Sequence, residues 1–324
     1  FIVSHNGVRS MINQYSDLSD SFDLGDFTAD MVNGQVTVSF SPYNSTFVYD
    51  VTVYREILNN GVGSATTSYG GVKKVGVSSF IPATGGFQLP HIIQSIDANA
   101  FKSGTVLVAV TGNEKEKEIF EASFVGVGST AQYIEYGKMQ DDMNLGTFNV
   151  GMTTTNDMQI KFTPIAGMGL TVATLTTLVG VGTTVAGTGI PGGAYEVGDA
   201  YLQSNRTEIS ASGTPTATNV SSLSYSNYTS VKYYVEVENV TNNEYSAFHI
   251  AANAYEGDSN YVKYGNVSTG LTARRDIQNT DITVSGTSML LQFTPMENRN
   301  YIVRVSEIRI DKPDNVTNDT TIEY

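Results

Sequence analysis

The sequence predicts an all-β protein made of tandem β-sandwich copies joined by Gly/Thr/Ser-rich linkers, with the first copy incomplete. Three observations predict it. A run of alternating apolar residues ends in Phe-x-Pro three times, at Phe40-Ser41-Pro42, Phe162-Thr163-Pro164 and Phe293-Thr294-Pro295. A tyrosine phrase precedes each run, at Tyr15, Tyr136 and Tyr264. The two anchors keep step: Pro164 follows Pro42 by 122 residues and Tyr136 follows Tyr15 by 121, while Pro295 follows Pro164 by 131 and Tyr264 follows Tyr136 by 128. A supersecondary unit recurring at a near-constant period marks a repeat architecture, and arrays of small β-units usually build surfaces and appendages.

Each element follows from its local pattern. Counting back from the prolines, the second, fourth and sixth positions are Phe40, Val38 and Val36, then Phe162, Ile160 and Met158, then Phe293, Leu291 and Met289. The positions between are mostly polar, with Leu290 the exception. This is the two-residue period of a strand with one face on a core. Asn33-Gly34, Asn156-Asp157 and Ser285-Gly286 lie just upstream and suit hairpin turns. The second and third copies also share a front half. Ser95-Ile96 through Val106, Val108 and Val110 aligns with Ser222-Leu223 through Tyr233, Val235 and Val237 at an offset of 127.

The first copy has no such front half, and Phe1-Ile2-Val3 falls where the second copy has Ala122-Ser123-Phe124. The expectation is that the chain is the C-terminal part of a longer polypeptide or a processed product. A half-copy leaves an apolar face that needs strands from elsewhere. The expected division is 1–58 as the C-terminal half of a repeat, 59–190 as a full repeat with an N-terminal linker, and 191–324 as a full repeat with a polar tail from Asp311. Asn59 to Gly71 and Gly180 to Gly193 read as flexible joints. Ile165 to Val185, the most apolar window, is broken by glycines and threonines and reads as strand and linker. The one helix-like patch, His91 to Ile96, competes with a strand reading taken from its third-copy counterpart.

At 324 residues the chain has length for two to three domains. It has no cysteine, so thiol catalysis, thiolate zinc and disulfides are excluded. The formal net charge is −14, with 32 acidic against 18 basic residues, which disfavours nucleic acid as a partner. No apolar run approaches the roughly 18 residues of a transmembrane helix, so membrane insertion is not expected.

Several patterns suggest chemistry, and each has an ordinary surface role as its alternative. Asp17, Asp20, Asp23 and Asp26, with Asp30 beyond, are dense enough to suggest a Ca²⁺ site, but they lack the alternate ligands and central glycine of an EF-hand loop, and a solvated loop is the expected role. Asp141-Asp142 stands at the corresponding place in the second copy and Ser268-Thr269-Gly270 in the third. His5, His91 and His249 occupy unrelated places and form no HExxH or Ser/His/Asp pattern. No phosphate or dinucleotide loop occurs, and no cofactor is implied. Asn-x-Ser/Thr sequons stand at Asn44 and then at Asn205, Asn219, Asn227, Asn239, Asn266, Asn315 and Asn318. They would carry glycan in a eukaryotic or archaeal secreted protein, whereas plain Asn and Thr richness is expected here. Tyr43, Tyr54, Tyr201, Tyr225 and Tyr228 suit stacking on host-surface glycan, while Tyr15, Tyr136 and Tyr264 are expected to be core or half-buried.

The succession Val106 to Val110, Glu135-Tyr136-Gly137, Leu145-Gly146-Thr147-Phe148 and Met158 to Pro164 resembles the tandem β-domains of virion structural proteins of tailed phages, particularly myovirus-type phages of marine cyanobacteria. Leu24-Gly25-Asp26-Phe27 and Asn242-Asn243-Glu244-Tyr245 extend the resemblance over most of the chain. The third copy departs by carrying Arg274-Arg275-Asp276-Ile277 in place of Leu-Gly-x-Phe, which puts its edge geometry in question. The resemblance implies a non-enzymatic role in fibre, neck or head decoration, virion location, and partners among other virion proteins and copies of itself. An extracellular filament or S-layer-like protein assembled by strand complementation is the second class, and a β-scaffold glycan depolymerase the third.

Overall fold

The computed structural model describes residues 1–5, 10–14, 23–47, 49, 51, 53–57, 64–69, 72–83, 88–112, 116–141, 143–165, 168–180, 195–197, 200–210, 214–255, 257–311 and 320–323. Within them the chain is nearly all β, in several separate antiparallel sheets. The first copy holds β1 (Ile2–His5), β2 (Ser10–Asn13), β3 (Gly25–Val32), β4 (Gln35–Pro42) and β5 (Tyr54–Ile57). The second holds β6 (Ser64–Tyr69), β7 (Val72–Ile81), β8 (His91–Asp97), β9 (Phe101–Gly112), β10 (Lys117–Val127), β11 (Thr130–Gln140), β12 (Gly146–Met152), β13 (Asp157–Pro164) and β14 (Leu170–Gly180). The third holds β15 (Tyr195–Val197), β16 (Ala200–Ile209), β17 (Thr218–Ser224), β18 (Tyr228–Asn239), β19 (Glu244–Tyr255), β20 (Asp258–Ser268), the helix α1 (Leu271–Gln278), β21 (Thr280–Ser285), β22 (Ser288–Phe293) and β23 (Tyr301–Asp311), and β24 (Thr320–Glu323) follows.

The second and third copies share one strand order. A six-stranded sheet runs β11-β10-β9-β14-β7-β6 in one and β20-β19-β18-β23-β16-β15 in the other, each faced by a three-stranded sheet, β12-β13-β8 and β17-β22-β21. The alternating residues of the Phe-x-Pro runs point between the two sheets. In the second copy Met158, Ile160 and Phe162 pack with Val106, Val108, Val110, Phe120 and Phe124; in the third, Met289, Leu291 and Phe293 pack with Tyr233, Val235, Val237 and Phe248. Sandwich cores of this kind bury apolar area from both inner faces, at roughly 25 cal/mol per Å².

The first copy is two hairpins, β1 with β2 and β3 with β4. The β3–β4 turn has Asn33 and Gly34 at φ 51° and 81°, the left-handed pair that a two-residue hairpin of matching twist requires. Gly25 and Gly146 explain the Leu-Gly-x-Phe phrase. A Cβ on Gly146 would stand 2.4 Å from both the Phe162 ring and the Thr163 carbonyl oxygen, and one on Gly25 would stand 2.3 Å from the Ser41 carbonyl oxygen and 2.7 Å from the Phe40 ring. The glycine of one phrase makes room for the phenylalanine of the other.

Three local expectations are corrected, and at His91 to Ile96 the strand reading holds. Ser64–Tyr69, expected in a flexible joint, pairs with β7 as the edge strand of the large sheet. The apolar alternation of β7 offers it a ladder, which outweighs its Ser/Thr content. His91 to Ile96 is strand β8, held by β13. The third copy's substitute for Leu-Gly-x-Phe is α1, with the left-out glycine replaced by a short helical detour. In the polar tail, Thr320–Glu323 runs parallel to β5. Tyr15 and residues 181–193 of the second joint lie outside the described residues.

Candidate functional site

The outer faces of the two large sheets meet, and the joint between them gathers a cluster of ionisable side chains from both copies. One end is apolar, with Val72, Val125 and Val179 against Tyr234, Tyr245, Ala247 and Val267. The other end is organised by the tyrosine phrase. Gly137 and Gly265 have φ of 63° and 61°, and the ladders slip there, so that Tyr136 faces Glu121 and Tyr264 faces His249 across their strand pairs. A glycine in the left-handed conformation opening a bulge re-aims the side chain beside it. Gly265 is needed for closeness as well: a Cβ there would stand 2.8 Å from Ser123 Oγ and 2.9 Å from the Tyr136 ring.

The re-aimed side chains meet their own counterparts. Tyr136 and Tyr264 pack edge to face with ring centres 5.8 Å apart. Glu121 and His249, each 15 residues before its copy's tyrosine, approach to 3.9 Å. His249 stacks on Tyr264 at 5.0 Å and meets Tyr234 edge-on at 5.2 Å. Lys232 Nζ lies 4.0 Å from Glu121 Oε1. Lys74, 2 % exposed, completes the cluster around a cavity of about 60 Å³. Burial pushes Lys74 down to about 7, with Lys232 adding to the effect and Glu121 opposing it. Burial and then Lys232 push His249 down to about 3, so it is neutral across the physiological range. Burial, then Glu121, raises Tyr136 well above its ordinary value.

A second polar group ties the copies together. Ser103 donates to Glu236, which is also bound by Arg304; Arg304 reaches Glu238 Oε2 at 2.7 Å. Glu236 is raised by burial and drawn back chiefly by Arg304. Inside each sandwich, one polar bond crosses between sheets at the same repeat position. Thr176 donates to Gln94 Oε1 at 2.7 Å in the second copy, and Ser221 donates to Glu307 Oε2 at 2.7 Å in the third. Glu307 is partnered by Arg309 at 2.6 Å.

Of the residues singled out from sequence, Tyr136, Tyr264 and His249 meet in the joint, whereas the remaining candidates are not gathered at one site. Asp17 and Asp20 lie outside the described residues; Asp23, Asp26 and Asp30 are exposed, and Asp26 accepts the Tyr43 hydroxyl at 2.7 Å. Among the described residues no three His, Asp or Glu side chains are grouped to hold a metal. Asp141 Oδ2 accepts the Lys117 amide at 3.2 Å and so closes a strand end, while Asp142 is outside the described residues. His5 and His91 stand on β1 and β8, apart from the joint. Asn227 and Asn266 are exposed, whereas Asn239 is fully buried and inaccessible to a glycan in the folded chain. Asn44 and Asn219 accept side-chain hydrogen bonds from Thr46 and Gln292, and Asn315 and Asn318 are outside the described residues. Tyr225 donates to the Gly286 carbonyl and Tyr228 lies under Arg309, which gives both structural partners.

Lys74, Glu121, Lys232 and His249 were not legible as a group. One signal was present: a charged or imidazole side chain at the same repeat position, Glu121 and His249, in otherwise apolar strands. A lysine inside Val72 to Val77 was another. Among the described residues no helix is long and apolar enough to cross a membrane. Compared with known proteins, the chain matches no family model, no curated protein and no solved structure.

Proposed function

We propose that this chain is a non-enzymatic structural component of a phage virion, building a fibre or neck or decorating the head through its repeated sandwiches. The observation that carries the reading is the way copies join. The contact between the second and third is made by the repeat's own positions, Tyr136 on Tyr264 and Glu121 on His249. The hairpin β1–β2 lies against β10 and β11, as β10 and β11 lie against β19 and β20. A unit that packs on its neighbour through the element it repeats is a building material, and assembly through such faces is the ordinary logic of symmetric or filamentous particles. The resemblance in the β-phrases supports a virion setting, with copies of itself and other virion proteins as partners. Quantitative mass spectrometry of purified particles tests this: the chain is expected at a fixed copy number, and its absence from particles overturns the virion reading.

One observation favours a second reading, an extracellular filament or surface protein assembled by strand complementation. Phe27, Val36 and Phe40 of the first copy are only half-buried and Val38 is exposed, while their counterparts Phe148, Met158, Phe162 and Ile160 are buried. A strand paired to the edge of β4 that is open among the described residues, as β8 pairs with β13, extends that sheet, and further strands laid over it, as β9 and β10 lie over β13, cover the face. Host glycan found on Asn227 or Asn266 selects this reading over the first.

A further inference from the structure

We propose that a groove between the second and third copies binds an uncharged saccharide. The groove, about 510 Å³, lies beside the Tyr136–Tyr264 contact: residues 132–134 of β11 form one wall, residues 266–268 of β20 the other, and the last turn of α1 adds Ile277 and Gln278. That volume suits a ligand of one or two sugar rings. Gln132, Asn266 and Gln278 bring three carboxamides to it and Ser268 a hydroxyl, and none of these four side chains is hydrogen-bonded to another group among the described residues. A carboxamide donates and accepts at once, as vicinal sugar hydroxyls do. Ile134, Val267 and Ile277 offer alkyl surface to the C–H face of a ring. No charged side chain lines the groove, and at the helix end the Ile277 carbonyl already accepts Lys263 Nζ at 3.1 Å. An ionic ligand therefore finds no counter-charge to replace its hydration.

Two departures from the repeat build the groove. Asn13 stands where the second copy has Ile134, and Lys138 where the third has Asn266, at the tyrosine offsets of 121 and 128. Across the first joint Asn13 Nδ2 donates to the Lys138 carbonyl at 3.4 Å. Across the second joint Ile134 has no amide to give, and the bridge has no counterpart. The third wall comes from α1, the one helix among the described residues, which stands where the second copy has Leu-Gly-x-Phe. The first joint has neither feature. Saccharide binding adds to the structural role and does not depend on it.

The test uses the whole chain, labelled with ¹⁵N and made in bacterial cytoplasm so that Asn266 carries no glycan. Maltose, lactose and diacetylchitobiose are titrated in turn while the side-chain amide resonances are followed. At least one sugar is expected to shift the Gln132, Asn266 and Gln278 signals saturably, with a Kd of about 1–10 mM, and to leave the Asn13 signal of the first joint in place. The charged sugars glucuronate and glucosamine are expected to shift none of them. Gln132→Ala and Gln278→Ala alter exposed side chains outside the core, and each is expected to weaken binding, read on Asn266, about three- to tenfold. The absence of saturable shifts with all three neutral sugars overturns the proposal, as do shifts that survive both substitutions unchanged. Equal shifts from the charged sugars overturn it too, because the groove then does not select an uncharged ligand.

Discussion

The second and third copies have the same skeleton and different polar furniture. Their strand orders coincide. Their irregularities coincide as well: the left-handed glycines Gly137 and Gly265 open equivalent bulges, and the ladders of β8 and β17 slip at Ile93 and Val220. Even a turn closure is shared, since the Lys117 amide donates to Asp141 Oδ2 at 3.2 Å where the Tyr245 amide donates to Thr269 Oγ1 at 2.9 Å. The side-chain pairs differ as units. Ala109 faces Ala173 across β9 and β14, and Glu236 faces Arg304 at the matching place on β18 and β23. Gln94 with Thr176 becomes Ser221 with Glu307, a long and a short partner exchanged. Backbone devices and apolar alternation hold the fold, and polar pairs are replaceable when both members change together.

The largest effect that tests this is at the Glu236–Arg304 pair. Arg304→Ala strips a fully buried carboxylate of its partner, and about 3–5 kcal/mol of stability is expected to go. Glu236→Ala together with Arg304→Ala gives the third copy the second copy's alanines and is expected to recover most of the loss in urea unfolding. A double variant as unstable as the single would show that the two copies are not interchangeable at this place.

A smaller effect sets both against the first copy. Gly146→Ala drives a Cβ into the Phe162 ring, which is 1 % exposed and enclosed by the core. A loss of about 1–3 kcal/mol is expected. Gly25→Ala meets the Ser41 carbonyl oxygen, 2.3 Å away, as well as Phe40, so the hairpin must shift there too, but Phe40 is only half-buried, less packing is disturbed, and the loss is expected to be smaller than at Gly146. Amide hydrogen exchange on β12–β13 and on β3–β4 reads the two separately. Equal losses would mean that the first copy's apolar face is as confined as a finished core.

How much of this was legible is clear from particular residues. The Phe-x-Pro runs announced their strands because alternation over Met158, Ile160 and Phe162 has one physical meaning, a face on a core. The all-β class followed from three such runs. What stayed hidden depends on neighbours far along the chain. Ser64–Tyr69 has linker composition and becomes a strand only because β7 presents an open ladder. The helix α1 stands where the repeat led one to expect Leu-Gly-x-Phe, and its eight residues carry no acidic first turn or side-chain cap to announce it. The joint was least legible, because Glu121 and His249 are 128 residues apart and meet only when two outer faces pack.

The exchanged clasp gives a directional test. Glu307→Thr alone leaves Ser221 without its acceptor and is expected to cost about 1–2 kcal/mol. Adding Ser221→Gln installs the second copy's pair and is expected to return most of it. The reverse transplant, Gln94→Ser with Thr176→Glu, is expected to fail by more, since Leu178 stands where Arg309 steadies Glu307. Urea midpoints for the three variants decide it. A reverse transplant that is tolerated would mean that Arg309 contributes nothing to the buried carboxylate.

The smallest net effect is in the pH profile, where two groups oppose each other. His249 is held at about 3 in the fold against 6.5 when free, so between those values the unfolded chain binds the extra proton and stability rises with pH. Asp276, in the last turn of α1, is pushed up to about 7 from 3.8, chiefly by burial and then by Glu244, so between those values the folded chain binds the extra proton and stability falls with pH. The windows overlap from 3.8 to 6.5, and the two slopes there cancel in part. Each variant unmasks the other group. Relative to the parent chain, Asp276→Asn is expected to gain stability as pH rises through that window, and His249→Gln to lose it, each by up to about 1.4 kcal/mol per pH unit. Parallel profiles for all three proteins would mean that both side chains keep their protonation state on folding. A change confined to His249→Gln would leave the joint as the one pH-responsive contact and place Asp276 in water.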